Sequence, residues 1–311
     1  MNLSLKVGTR GSELAQRQSA LVEAALLNAQ SDLNLERCII QTAGDMRLDI
    51  PLNEVNRATN TQDKGVFIAA LEEALASGEI DCAVHSLKDM PGILDERFEI
   101  AAVLPREEIN DVLIVKEGAN LERLLIGTSS VRRVRSAECY WGGTALCMPI
   151  RGNVATRLRK LVESPEMDAI LLAQAGLNRL DYPKDHFEID GTKLFVVKMS
   201  IGAFMPALGQ GAIAVEIRKG DEHMKSLLSL INDPQTEACV RCERSFLRSL
   251  AADCSVPVGG YANIIEDAMF FRALYFTEEG TPIRVEQRGS AAAPEELGIS
   301  AFEQLRYRLN D

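Results

Sequence analysis

The chain has 311 residues, 46% of them hydrophobic and 25% charged, with a net charge of −11. That length allows two or three domains with substantial cores. The acidic balance argues against nucleic-acid binding, and no apolar run approaches the length of a membrane span.

The N-terminus lacks a signal-peptide pattern, so a cytoplasmic protein is expected. It runs into a strand at Leu3–Gly8. Ser12 is placed to cap a helix whose apolar face is Leu14, Leu21, Val22, Ala25 and Leu26. Arg37–Thr42 reads as a second strand, followed by a Gly44-Asp45 turn. Residues 53–65 are polar and aperiodic and read as a mobile loop. Val66–Ser77 reads as a helix ended by Gly78. Further strands are expected at Ile80–His85, Phe98–Leu104, Asp111–Lys116, Leu125–Gly127, Ala145–Ile150 and Asp168–Leu172. Repeated βα units predict parallel sheets covered by helices, in two lobes with a cleft between them. Ligands of open α/β sheets bind beyond the carboxyl ends of the strands. The turns at Thr9-Arg10, Gly44-Asp45, Ser86–Asp89, Thr128–Arg133 and Arg151–Asn153 all occupy such places. After about residue 220 the pattern changes: helices at Glu222–Asn232 and Gln235–Leu250, strands at Gly260–Ile265, Ala268–Phe276 and Pro282–Gly289, and a helix at Pro294–Leu309. This reads as a small α+β domain.

Two runs stand out in so acidic a chain. Gly127–Arg135 and Arg151–Lys160 both look like strand-to-helix turns, which aim free backbone N–H groups and a positive helix end at an anion. Residues 126–160 hold seven positive side chains (Arg132, Arg133, Arg135, Arg151, Arg157, Arg159, Lys160) against Glu138, a local balance of +6. Arginine forks match carboxylates and phosphates, so a small anionic ligand is indicated. A solvated helix face accounts for Arg135 and Arg159.

His85-Ser86-Leu87-Lys88-Asp89-Met90-Pro91 follows a strand, and Pro91 forces Met90 to be extended. Asp89 there is either a carboxylate that stabilises a cation or shuttles a proton, or one half of a surface salt bridge. Cys254 lies in a turn between helix and strand, a candidate nucleophile or attachment point, although Asp253 opposes thiolate formation. Cys38, Cys82 and Cys147 sit in apolar strand-like runs and are expected to be buried and inert. Cys239 and Cys242 form a C-x-x-C within a helical pattern, with no second pair and no nearby histidine. His85, His186 and His223 make no metal motif, so no metal is expected.

Taken in order and spacing, several segments resemble one family. They are Gly8–Ser12, Thr42–Asp45 with Leu48–Leu52, Lys64–Phe67, His85–Pro91, Gly127–Arg133, Arg151–Arg157, Ala175–Leu180, Pro206–Gly211 and Cys254–Gly259. Over nearly its full length the chain resembles the hydroxymethylbilane synthases, also called porphobilinogen deaminases. The resemblance implies an α/β fold of two periplasmic-binding-protein-like lobes plus a small α+β C-terminal domain. Domain 1 would be 1–103 and 202–220, domain 2 would be 104–201, and domain 3 would be 221–311. It implies a monomer that joins four porphobilinogen molecules, with loss of ammonia, onto a dipyrromethane cofactor and releases hydroxymethylbilane by hydrolysis. Cys254 would hold the cofactor through a thioether. Lys88, Asp89, Ser129, Arg132, Arg133, Arg157 and Arg244 would contact it, with Asp89 catalytic. Arg10, Ser12, Phe67, Arg151, Arg179 and Gln210 would bind substrate. If Arg132 only reads ligand carboxylates, Arg132→Leu should cripple binding while the fold survives. Ala251-Ala252-Asp253 replace the family's usual glycines, and the loop before Lys64 lacks its paired glycines. The rival readings are a non-catalytic two-lobed anion binder, which needs neither Asp89 nor Cys254, and a redox or metal protein built on Cys239 and Cys242.

Overall fold

Strand β1 (Ser4–Arg10) buries Leu5 and Val7 and pairs in parallel with β2 (Asn34–Ile40), from Ser4–Asn34 to Arg10–Ile40. Helix α1 (Glu13–Ala29) starts where Ser12 turns extended (φ −68°, ψ 146°) and its side chain accepts from the Ala15 N–H at 3.3 Å. That bond satisfies one of the orphan donors of the first turn. The buried Val22 and Leu26 of α1 join Leu5 and Val7 in one core. The structure, a computed structural model, describes residues 4–41, 68–250 and 256–310. The expected Gly44-Asp45 turn, the 53–65 loop, Phe67 and Cys254 lie outside the described residues.

The chain divides into two compact units, Met1–Arg106 with Ala212–Arg241, and Glu107–Gly211 with Cys242–Asp311. The first is built on a five-stranded sheet of order β2-β1-β3-β11-β4, completed by β3 (Cys82–Ser86), β4 (Phe98–Val103) and β11 (Ile213–Arg218). Helix α2 (Ala69–Ser77) leads into β3 and ends at Gly78, whose φ of 74° suits a residue without Cβ. The second has a six-stranded sheet of order β7-β6-β8-β5-β10-β9. Its strands are β5 (Asp111–Lys116), β6 (Leu124–Gly127), β7 (Ala145–Met148), β8 (Ala169–Ala173), β9 (His186–Ile189) and β10 (Thr192–Lys198). Helices α3 (Val131–Trp141), α4 (Val154–Glu163) and α5 (Gln174–Arg179) complete it, the first two capped by Ser130 and Asn153.

Both sheets are mixed, which corrects the expectation of parallel sheets. The parallel pairs, β1–β2, β1–β3, β6–β7 and β6–β8, belong to the helix-connected part of each sheet. Strand β11 reaches the first sheet from the far end of the 107–211 excursion and runs antiparallel to β3 and β4. Strand β5 is antiparallel to β8 and β10. The β9–β10 hairpin turns on Asp190 and Gly191, with φ of 49° and 77°. Positive φ at both central residues is the turn whose twist matches the strands.

Helix α6 (Glu222–Ser229) packs on the first sheet, and α7 (Pro234–Ser249) contains the boundary between the units. The chain ends in a meander of β12 (Val258–Ile265), β13 (Ala268–Phe276) and β14 (Pro282–Ser290), covered by α8 (Pro294–Asn310). Phe246 on α7 and Phe271 on β13 meet at 5.1 Å between ring centroids. Gly298 lets α8 approach α7 closely: a Cβ there would lie 2.3 Å from the Cys242 carbonyl oxygen and 2.9 Å from the Phe246 nitrogen. Both are backbone atoms and cannot rotate away. Gly298→Ala should therefore destabilise by about 1–3 kcal/mol through overpacking, despite alanine's better helix propensity. Thermal unfolding checks this, and a melting temperature at or above the parent's would show that the helices have room to part.

Candidate functional site

In the first unit, three of the sequence-predicted residues share one concavity. Arg10 ends β1, Ser12 caps α1, and Asp89 ends a 3-10 turn over Leu87–Asp89 that continues β3. These three line the concavity together with Gln18, His85 and Ser86. The turn is held from both sides. Leu87 is buried, and its N–H donates to the Ala212 carbonyl at 3.1 Å. Met90 takes the extended conformation (φ −83°, ψ 141°) that Pro91 requires, and its N–H donates back to Leu87 at 3.0 Å. Asp89 is consequently exposed on a fixed backbone, with Lys88 half-buried beside it. Gln18 and Ser86 are hydrogen-bonded at 2.7 Å across the floor.

In the second unit, Arg132 and Arg133 occupy the first turn of α3 and are both about 95% buried. Positive side chains at a positive helix end are unfavourable on their own. Asp111, at the start of β5 and wholly buried, resolves this. Its Oδ2 lies 2.8 Å from Arg132 Nη1 and its Oδ1 lies 2.7 Å from Arg133 Nη2. Burial would raise the Asp111 carboxyl, but the charges of Arg132 and Arg133 and their hydrogen bonds outweigh it and hold it below the usual carboxylate range. Arg132 also donates to the Met205 carbonyl at 2.6 Å, and Arg133 to Leu171 at 3.0 Å. Gln210 joins from the Pro206–Gly211 turn, donating to Asp111 at 2.9 Å and to the Ile109 carbonyl at 2.7 Å. Arg132, Arg133 and Gln210 thus meet around a carboxylate that sequence reasoning missed. Its only signal was an acid at the head of the apolar run Val112–Val115.

The other predicted arginines are placed separately. Arg151 and Arg157 flank the start of α4, whose first turn has no acidic residue, and Arg157 Nε donates to the Gly152 carbonyl at 2.6 Å. Gly152 has a φ of 121°, and a Cβ there would lie 2.6 Å from Thr156. Ser129 ties the two turns together: its hydroxyl donates to the Ile150 carbonyl at 2.8 Å and accepts from the Ile150 N–H at 3.1 Å. Arg179 donates to the Gly211 carbonyl at 2.6 Å, and burial pushes its guanidinium down to about 10 against the opposing charge of Glu107. Arg244 is half-buried on α7. Its neighbour Glu243, also missed, accepts from the Gly209 and Ala262 N–H groups at 2.6 and 2.8 Å.

Cys82 is buried, and burial pushes its thiol up to about 12. Cys38 and Cys147 are only half-buried, a correction explained by their place on β2 and β7, the edge strands of their sheets. Cys239 and Cys242 are buried on α7. Among the described residues no group of three His, Cys, Asp or Glu side chains could hold a metal ion, and no helix is long and apolar enough to cross a membrane.

Arginines and an exposed aspartate at the carboxyl ends of α/β strands, followed by a three-stranded α+β segment, define a protein suited to small anionic ligands. A family model described as porphobilinogen deaminase, dipyromethane cofactor binding domain, matches residues 5–226, and one for the porphobilinogen deaminase C-terminal domain matches 237–307. Relatives named porphobilinogen deaminase include those of Moorella thermoacetica (40% identical, covering 98% of this chain and 94% of that protein) and Roseiflexus sp. (38%, 98% and 96%). That of Syntrophobacter fumaroxidans is 36% identical and covers 97% of this chain and 94% of its own. The chain belongs to the porphobilinogen deaminase family.

The Asp111 geometry changes what is expected of Arg132. Arg132→Leu strands a buried carboxylate beside a single arginine, a loss of about 3–5 kcal/mol. We expect a markedly lower denaturation midpoint for Arg132→Leu, measured by urea unfolding, and not ligand loss alone; an unchanged midpoint would return Arg132 to a purely ligand-reading role. The lowered Asp111 carboxyl also sets a pH dependence. The stability it confers is complete above its unfolded value of 3.8 and drains as pH falls below that toward the folded-state value. Asp111→Asn should therefore flatten the acid limb of stability against pH, which unfolding titrations between pH 2 and 6 will show.

Proposed function

We propose that this chain is the transferase its family name describes. It deaminates four porphobilinogen molecules, joins them head to tail on a dipyrromethane cofactor and releases hydroxymethylbilane by hydrolysis. The observation that carries the reading is the concavity in which Asp89 stands exposed beside Arg10 and Ser12, in a chain matched almost end to end by porphobilinogen deaminases.

The donor set suits pyrroles bearing acetate and propionate groups. Arg133 Nε is a buried donor with no partner, and α4 presents its positive end and two arginines with no acid in its first turn. When bound, the dipyrromethane supplies the free pyrrole carbon to which new rings are joined. Cys254 is its attachment point through a thioether. Lys88, Ser129, Arg132, Arg133, Arg157 and Arg244 hold its side chains and backbone surroundings in place. Arg10, Ser12, Phe67, Arg151, Arg179 and Gln210 orient the incoming substrate. Charge-assisted hydrogen bonds of this kind contribute about 1.5–3 kcal/mol each.

Asp89 acts on charge and protons. Deamination develops positive charge on the pyrrole, and a fixed carboxylate stabilises it without reorganising. The 3-10 turn supplies that rigidity. The same carboxylate accepts a pyrrole N–H and so orients the ring. The chain is read as a cytoplasmic monomer, with three domains at 1–103 with 202–220, 104–201 and 221–311, on the strength of the family.

Two variants test the reading. Intact mass of the purified chain should exceed the sequence mass by two linked pyrrole units, and Cys254→Ser should abolish both the increment and turnover; an adduct that survives Cys254→Ser would place the attachment elsewhere. Asp89→Asn keeps the shape and removes the charge. We expect it to carry the adduct, melt within a few degrees of the parent and lose about 10²–10³ in rate. A near-parental rate with lowered melting temperature would make Asp89 a salt-bridge residue.

A further inference from the structure

One buried ionisable pair has no part in the chemistry above. His85, on β3, is 5% exposed, and its Nε2 lies 3.0 Å from Oε2 of the wholly buried Glu216 on β11. The two are diagonal neighbours on one face of an antiparallel pair, with His85 opposite Ala214 and Glu216 opposite Ala83. Glu216 interrupts the apolar run Ile213–Ile217, and its other oxygen has no hydrogen-bond partner. As a stabilising device this is a poor one. A buried carboxylate with half its acceptors unmet costs several kcal/mol relative to an apolar residue of similar size. Yet the pair sits at the root of the Asp89 turn, and His85 lines the same concavity as Arg10, Ser12 and Asp89.

We infer that His85, its ring fixed by Glu216, exchanges protons with whatever occupies the Asp89 concavity. A carboxylate only accepts, so the nitrogen facing Glu216 carries the proton, and Nδ1 is left as the ring's acceptor. This deepens the proposed function and rests on it. In each addition the C–N bond of the incoming porphobilinogen breaks, a C–C bond forms from the free pyrrole carbon of the growing chain, that attacking carbon loses one proton, and the released ammonia takes up one proton in neutral water. The protons balance with no oxidant or reductant. Imidazole, ordinarily titrating near 6.5, suits that traffic at neutral pH better than an exposed carboxylate does. Glu216 from β11 holds the ring, and Arg10 from β1 and Asp89 from the turn are the charged groups that line the concavity with it. Glu216 is the positioning residue and His85 the proton carrier.

The chain has three histidines, so the ring signals of His85, His186 and His223 can be resolved by NMR and assigned by single substitution. We expect the ring signals of His85 to shift when porphobilinogen is added to the Cys254→Ser chain, while those of His186 and His223 stay still. In steady-state assays His85→Gln should keep the mass increment, hold KM within about threefold and lower kcat by about 10²-fold. It should also flatten one limb of the pH–rate profile, and Glu216→Gln should shift that limb. A His85 ring that stays in one protonation state and ignores porphobilinogen overturns the inference, as does His85→Gln with parental kcat and pH profile. If His85→Gln does not fold, the parental NMR titration and Glu216→Gln decide. A parental chain with no adduct and no turnover counts instead against the proposed function, and the NMR response then decides on His85 separately.

Discussion

The second unit depends on one carboxylate. Asp111 stands where β5 begins, and two guanidiniums from α3 and the amide of Gln210 converge on it. Without it, α3 would begin with two arginines in its own positive field. With it, the helix start, the head of β5 and the Pro206–Gly211 turn are fixed to one point. Gly259 adds a steric condition, since a Cβ there would lie 2.7 Å from the Pro206 carbonyl and 3.0 Å from the stem of Arg132. Buried ion clusters of this kind are costly to assemble and costlier to break. They are more useful for holding a geometry than for adding stability.

This alters what the +6 balance of residues 126–160 means. Two of the seven cations are engaged by Asp111, which lies outside that window, and Arg135 pairs with Glu138 at 3.0 Å. What distinguishes the region is therefore its arrangement more than its net charge. Helices α3 and α4 both lack an acid in the first turn; α3 is answered by Asp111 from β5, whereas α4 is capped by the Asn153 side chain.

Much of the architecture was legible because it is local. Ser12, Gly78, Ser130 and Asn153 mark helix ends by their own chemistry, and Pro91 dictates the exit from the Asp89 turn. The β9–β10 hairpin escaped a sequence reading because its strands are largely half-exposed or exposed and give little periodicity. Asp111, Glu216 and Glu243 were not legible. Each is a lone acid whose partner is 19 or more residues away, and nothing near it in sequence separates a buried ion from a solvated one. The mixed sheets were hidden for the same reason: strand direction follows from where the chain re-enters, not from the strand's composition. Of the residues that line the concavity, Arg10 and Asp89 were readable from strand-end position and Ser12 as a helix cap, whereas the buried state of Arg132 and Arg133 required the fold.

The place of β11 in the first sheet has a consequence for how this protein is made. Strands β3 and β4 are hydrogen-bonded to β11 and not to each other, and β11 (213–218) is synthesised after both. Until the intervening hundred or so residues have emerged from the ribosome, two strand edges in the middle of the sheet have no partner. Unpaired edges are templates for aggregation, and pairings of such long sequence separation form slowly. The nascent chain would thus pass through a period in which its first sheet is split into β2-β1-β3 on one side and β4 on the other. Its exposure to chaperones during synthesis would be set by the time taken to translate the second sheet, not by any weakness of the finished core.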